Sequence, residues 1–193
     1  MQNTDRPQMN PSRLSIDELG WYLPARQVPS PHFDERGDEQ DISLLVVHNI
    51  SLPPGQFGGD HIEAFFQGRL DASLHPFFKV IEHVRVSAHC LIRRDGEVVQ
   101  FVPFTARAWH AGVSSFAGRA RCNDYSIGIE LEGTDYQAYT EAQYLSLGAL
   151  SAAIMSRYPN ITPQRITGHQ YIAPLRKTDP GLVFDWSKFK QLM

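Results

Sequence analysis

The stretch Ile42-Ser43-Leu44-Leu45-Val46-Val47-His48-Asn49 sets the fold class of this chain. Positions 42–47 form a short, almost continuous apolar run that ends on two polar side chains. A run of this length without alternation is the pattern of a strand covered on both faces, found in sheets with other elements packed above and below. His48 then stands at the strand's C-terminal tip. The next ten residues but one, SLPPGQFGGD at 51–60, are crowded with Pro and Gly, which predicts a loop lying over whatever the tip presents.

Working outward, residues 61–83 read as mostly helical, broken near Asp71-Ala72-Ser73 and at Pro76. A strand is expected over 86–93, then a hairpin turn at Arg94-Asp95-Gly96-Glu97, then a return strand over 98–102. Residues 106–109 and 126–131 are further short strands. In the second, Ile127 and Ile129 alternate with Gly128 and Glu130, so Glu130 projects away from its apolar neighbours. Thr140-Glu141-Ala142-Gln143 fits a capping box, and Tyr144, Leu147, Leu150 and Ile154 follow at helical spacing, which predicts a helix over 141–157 that ends before Pro159. Thr162-Pro163-Gln164-Arg165 opens a short helical turn, Thr167-Gly168-His169 emerges in a loop, and 171–184 has no clear period. Residues 1–20, polar with scattered Pro and Asn, are expected to form a loose leader ahead of one domain over 21–193. The predicted fold class is α/β, a single domain with a central mixed β-sheet flanked by helices.

Composition narrows the function classes. With 193 residues, 42% hydrophobic and 20% charged, the chain has material for one core and lacks the signature of disorder. Eighteen basic against twenty-one acidic side chains leave a net charge of −3, which argues against nucleic acid as a partner. No apolar stretch approaches the ~20 residues of a membrane helix. The N-terminal MQNTDRPQMNPSRLSIDELG lacks the basic segment and apolar run of a secretory signal, so a cytoplasmic location and no membrane partner are expected. Cys90 and Cys122 are too few for a disulfide framework and read as free thiols.

Eight histidines are the compositional oddity. His32, His61, His75 and His83 fall in loops or helices and read as surface or satisfied groups. His89 and His110 lie in or beside strands, where a buried imidazole with a hydrogen-bond partner is expected, as part of the structure or in support of a ligand. His48, His169 and Asp179 differ, because each occupies a strand end or a loop from which a rigid scaffold aims side chains into a cleft. Two imidazoles and one carboxylate suit zinc and leave a fourth tetrahedral position for water. Their spacing is too wide to form a local motif, and residue chemistry alone leaves ordinary structural roles open for all three.

The strings LLVVHNISLPPGQFGGD, VSAHCLIRRDGEVVQFVPF, RAWHAGVSSFAGRARCND, SIGIELEGTDYQAYT, TGHQYIAPLRKTDPG and FDW closely resemble the AmpD-type amidases. These are N-acetylmuramoyl-L-alanine amidases acting on anhydro-muropeptides in cytoplasmic peptidoglycan recycling, and the likeness runs in order over about 20–190. The resemblance implies a peptidoglycan-recognition-type fold, a zinc ion held by His48, His169 and Asp179, Glu130 as catalytic acid/base and Lys177 as oxyanion stabiliser. It also implies an anionic muropeptide substrate. Arg85 and Arg121 are the arginines expected to take its carboxylates, and Trp109 the ring expected to pack on its sugar. Two departures stand out. Ala88 occupies the place before a strand histidine where phage-type amidases and peptidoglycan recognition proteins carry a tyrosine, which removes a tyrosine-based mechanism and leaves Glu130 in that role. Gln170 follows His169 where a cysteine is commoner, with little effect expected on the metal. A monomer is the simplest expectation for this size. A non-cutting peptidoglycan sensor is disfavoured by the complete ligand set, a secreted lytic amidase by the absent signal, and a regulator with a reactive Cys122 thiol by the expectation that the cysteine is buried.

Overall fold

The computed structural model describes residues 15–193. In chain order the strands are β1 (Arg26–Gln27), β2 (Phe33–Glu35), β3 (Leu44–Ile50), β4 (Cys90–Ile92), β5 (Val98–Gln100), β6 (Ala106–Ala108), β7 (Ser115–Phe116), β8 (Arg119–Ala120), β9 (Ser126–Glu132) and β10 (Ile166–Gly168). The helices are α1 (His61–Phe66), α2 (Pro76–Ile81), α3 (Glu141–Arg157), α4 (His169–Ile172) and α5 (Trp186–Gln191). Six strands make the central sheet in the order β1-β5-β4-β9-β3-β10. Every neighbouring pair is parallel except the β4–β5 hairpin, so the sheet is mixed as the α/β reading requires.

The apolar run at 42–47 becomes β3, which starts two residues later and continues to Ile50, with Leu44 to Val47 fully buried. Alternation along β3 and β9 divides the core. Leu45, Val47, Ile127, Ile129 and Leu131 face the layer built by α3 and α5. Leu44 and Val46 face Ala111, Cys122, Tyr125 and Ile172 on the other side. Helix α3 has its capping box, Thr140 Oγ1 accepting from Gln143 N–H and Gln143 Oε1 from Thr140 N–H, at 3.1 Å each. Its buried stripe of Tyr144, Leu147, Leu150 and Ile154 packs on the sheet, each side chain contributing about 1.5–3 kcal/mol by transfer from water. A third cluster, with Phe65, Phe66 and Phe78 from α1 and α2, covers Leu91, Val99 and Phe101.

The helical reading of 61–83 resolves into α1 and α2 with a turn between them, broken where expected. The short helical turn expected from Thr162 forms at Pro163–Arg165, and strand β10, the short α4 and the C-terminal α5 are additions to the sequence reading. Of the expected leader, residues 1–14 lie outside the described residues, whereas 15–20 fold onto the sheet: Gly20 O accepts from Phe104 N–H and Gln100 Nε2, both at 2.9 Å. Cys90 and Cys122 are both free and buried, and burial pushes the Cys90 thiol far above its ordinary range. Among the described residues no helix is long and apolar enough to cross a membrane.

Candidate metal centre

Strand register assembles the centre. In the parallel β3–β9 ladder His48 pairs with Glu130, and in the parallel β10–β3 ladder Gly168 pairs with Val47, so His169 follows directly beside His48. All three groups sit at the carboxyl ends of parallel strands, where open α/β sheets place their ligands. The segment after α4 returns to close the site: Gln170 N–H donates to Asp179 O at 2.9 Å, and Tyr139 Oη–H holds Pro180 O at 2.7 Å.

His48 Nδ1, His169 Nδ1 and Asp179 Oδ2 form a triangle with sides of 2.9, 3.0 and 3.0 Å. Among the described residues these are the three side chains that converge as a candidate metal-holding group. Two imidazole nitrogens facing each other beside a carboxylate suit a cation better than one another. The spacing is close to the roughly 3.3 Å that separates tetrahedral ligands with bonds near 2.0–2.1 Å. Burial drives the His48 pKa down to about 4, which keeps the ring neutral and able to donate a lone pair. Burial pushes the Asp179 carboxyl upward, yet the His169 and His48 rings beside it outweigh that and hold the group well below the ordinary carboxylate range.

The outer ring nitrogens are also engaged. His169 Nε2 lies 3.1 Å from Ala111 O, and His48 Nε2 lies 2.9 Å from His110 Nδ1. A ring nitrogen that donates outward leaves the other free for a metal. Arg176, which donates to Ala111 O at 2.6 Å and Val113 O at 2.7 Å, ties the loop carrying Lys177 to the loop behind His169. Sequence reading did not bring out Arg176 and left His110 without a defined task. No local pattern links them to residues dozens of positions away, although the Gly at 128 is the trace of the His110 ring: a Cβ there would lie 2.4 Å from it.

Glu130 is buried, with Oε2 left unpaired. Burial, with Asp179 adding to it, raises its pKa well above the ordinary 4.5, and Lys177 works in the opposite direction. Glu130, Lys177 and Trp109 line one pocket of about 270 Å³ with the three candidate ligands. A second hollow of about 550 Å³, edged by Ser51, Asp135 and Tyr136, shares Asn49, Lys177 and Asp179 with it, so the two open spaces adjoin beside Asp179. The loop at 51–60 contributes Ser51, Pro54 and Gly55 to that hollow and is pinned at its far end, where Gly58 N–H donates to Glu132 Oε1 at 2.7 Å.

Two expected substrate arginines lie elsewhere. Arg121, directly after β8, is exposed, pairs with Asp124 at 2.8 Å and lines a separate depression with Arg107 and Arg119. Arg85 sits between two pocket residues, Val84 and Val86, but its guanidinium turns back to donate to Glu82 O at 2.8 Å and is absent from the lining. Trp109 does line the pocket, half-buried, with its ring stacked 6.2 Å from His32.

The sequence profile of the N-acetylmuramoyl-L-alanine amidase family matches residues 38–182, which hold every residue of this centre. The chain belongs to that family. Among relatives of this amidase, the 1,6-anhydro-N-acetylmuramyl-L-alanine amidase AmpD of Citrobacter freundii is 64% identical over 180 residues, covering 93% of this chain and 95% of the relative. AmpD of Escherichia coli K12 is 62% identical over 176 residues, covering 91% and 96%. The amidase superposes on a crystal structure of a selenomethionine AmpD derivative with a TM-score of 0.89 and 63% identity, over 91% of this chain and 98% of that one. A more distant structure is E. coli AmiD in complex with anhydro-N-acetylmuramic acid-L-Ala-D-γ-Glu-L-Lys, with a TM-score of 0.59 and 32% identity over 79% of this chain and 57% of AmiD.

Proposed function

We propose that this amidase is a zinc enzyme that hydrolyses the amide between the lactyl group of anhydro-N-acetylmuramic acid and L-alanine in muropeptides. The observation that carries the reading is the triangle of His48, His169 and Asp179 donor atoms in a pocket with the buried carboxylate of Glu130. A set of two imidazoles and one carboxylate with a position left open is the donor chemistry of catalytic zinc. Zinc held there supplies Lewis acidity, polarising the scissile carbonyl and making water acidic enough to react near neutral pH.

The chain's own groups do the rest. Glu130, on the rigid β9, takes the proton of the attacking water and returns it to the departing alanine nitrogen. A raised pKa suits both halves of that exchange, since the group gives back a proton as readily as it accepts one. Lys177 donates to the oxygen on which negative charge develops. The pocket that holds the centre and the hollow that adjoins it at Asn49, Lys177 and Asp179 give room for a substrate that extends beyond its reacting amide. AmpD and AmiD carry in their names and complexes the anhydro-muramyl substrate that this reading assigns here.

The same proposal includes a role in peptidoglycan recycling, a cytoplasmic setting and action as a monomer. The domain is taken as 21–193, with all proposed site residues supplied by one chain. Mass spectrometry of products from purified anhydro-muropeptide and from intact sacculi tests it. Release of the stem peptide from the soluble muropeptide, with zinc near one ion per chain, is the expected result. Cleavage of sacculi alone points to wall lysis, and active protein without zinc removes the metal reading. Cell fractionation tests the location.

A further inference from the structure

We propose that His110 is a positioning residue for His48, fixing which nitrogen of that ring is free to hold the metal. The inference rests on the metal-centre reading and extends it to a side chain outside the ligand set. His48 has two nitrogens. Nδ1 faces His169 and Asp179, and Nε2 lies 2.9 Å from His110 Nδ1. His110 Nε2 lies in turn 3.2 Å from Ser126 Oγ.

One proton arrangement satisfies this chain and the centre together. His48 Nε2–H donates to His110 Nδ1, and His110 Nε2–H donates to Ser126 Oγ. His48 Nδ1 then carries a bare lone pair toward the other two donors. The opposite tautomer of His48 would aim an N–H at the place where a cation must sit.

The fold is built around this ring. The backbone N–H groups of His110 and Ala111 both donate to Asn123 Oδ1, at 3.2 and 2.8 Å, which fixes where the side chain starts. The ring lies across Gly128 in β9, where any Cβ would come within 2.4 Å of it. Gly128 itself is held by its N–H donating to His89 Nδ1 at 3.0 Å. The sheet therefore leaves a slot at one position for one imidazole, and that imidazole meets the far side of a ligand.

The test is zinc affinity, measured by competition with a chromophoric chelator, for wild type, His110→Leu and His110→Asn, alongside their melting temperatures. Leucine fills the space but accepts no hydrogen bond, and its dissociation constant should rise roughly ten- to hundredfold. Asparagine retains an oxygen near the Nδ1 position and should return affinity to within a few-fold of wild type. A folded leucine variant that binds as tightly as wild type overturns the proposal, as does an asparagine variant no better than leucine. Should leucine prevent folding, His110→Asn against His110→Gln decides, because the glutamine amide reaches the Nε2 position instead. Tighter binding by asparagine supports the proposal, and equal or weaker binding overturns it. Wild-type protein that takes up no zinc overturns this proposal together with the reading beneath it, whereas normal wild-type uptake with an unaffected leucine variant overturns this one alone.

Discussion

His48 and Glu130 stand opposite one another in the parallel ladder between β3 and β9, so a candidate ligand and a buried carboxylate leave the same face of the sheet side by side. Two backbone strands set their separation. Lys177, by contrast, reaches the same pocket from an exposed loop that is tied down by Arg176 and by its own N–H donating to Ala173 O at 3.0 Å. The proposed proton carrier is thus held by the core, and the proposed oxyanion donor by a surface segment.

Replacing Glu130 with Gln keeps the volume of the side chain and removes its ability to take a proton. Metal content should stay at the wild-type level, because Glu130 is outside the triangle of candidate ligands. Amide cleavage should fall by roughly 10²–10⁴-fold, the range for loss of a general acid/base. Metal analysis and product mass spectrometry on the same preparation check both halves, and an active glutamine variant would remove Glu130 from the mechanism.

Lys177→Ala and Arg121→Ala separate a cation that lines the pocket from one that lies in another depression. Loss of Lys177 should lower kcat and kcat/KM together, by roughly 10²–10³-fold, as for removal of a transition-state donor. Loss of Arg121, exposed and paired with Asp124 in another depression, should leave both parameters near wild type. Steady-state kinetics decide. A rise in KM alone for the lysine variant would make it a substrate contact.

The central strand and the long helix were legible because each obeys one strong local rule, an apolar run for β3 and a capping box with periodic apolar positions for α3. The small terminal elements were not, since β10 and α4 owe their shape to the register against β3 and to the segment returning through Asp179. Within the site, the five side chains that the resemblance implies, His48, Glu130, His169, Lys177 and Asp179, all line one pocket, as does Trp109. The two arginines do not line that pocket in this structure: Arg85 belongs to an adjoining segment, but its guanidinium donates to Glu82 O after α2, and Arg121 lines a separate depression. A sequence carries side-chain type far better than side-chain aim.

Metal removal should cost stability. A cation that binds only the folded chain adds RT ln(1 + [L]/Kd), about 2.7 kcal/mol at a hundredfold excess over Kd. Adding zinc to chelated protein should therefore raise Tm, with a dependence on concentration that disappears in His169→Ala. An equal rise in that variant would place the binding somewhere other than this centre.

Chelated protein should also lose stability as pH falls from 6.5 toward 4. Burial drives His48 down to about 4 and holds His89 and His110 well below the ordinary 6.5, so all three stay neutral in the folded state while the unfolded chain takes up protons. The unfolded state binds more protons in this window, which makes the slope of stability against pH positive. Glu130 opposes the trend: its raised pKa lets the folded state keep a proton above the ordinary 4.5 that the unfolded chain has released. Near pH 5, three histidines against one carboxyl leave about two protons, or about 2.7 kcal/mol per pH unit. Below that the unfolded Glu130 takes up its own proton and the opposition fades, while Asp179, held low in the folded state, adds to the decline. Urea unfolding at pH 7, 6 and 5 in the presence of chelator should show the decline, and Glu130→Gln, which removes the opposing group, should steepen it. Unchanged stability between pH 7 and 5 would mean that the buried rings are protonated in the folded protein.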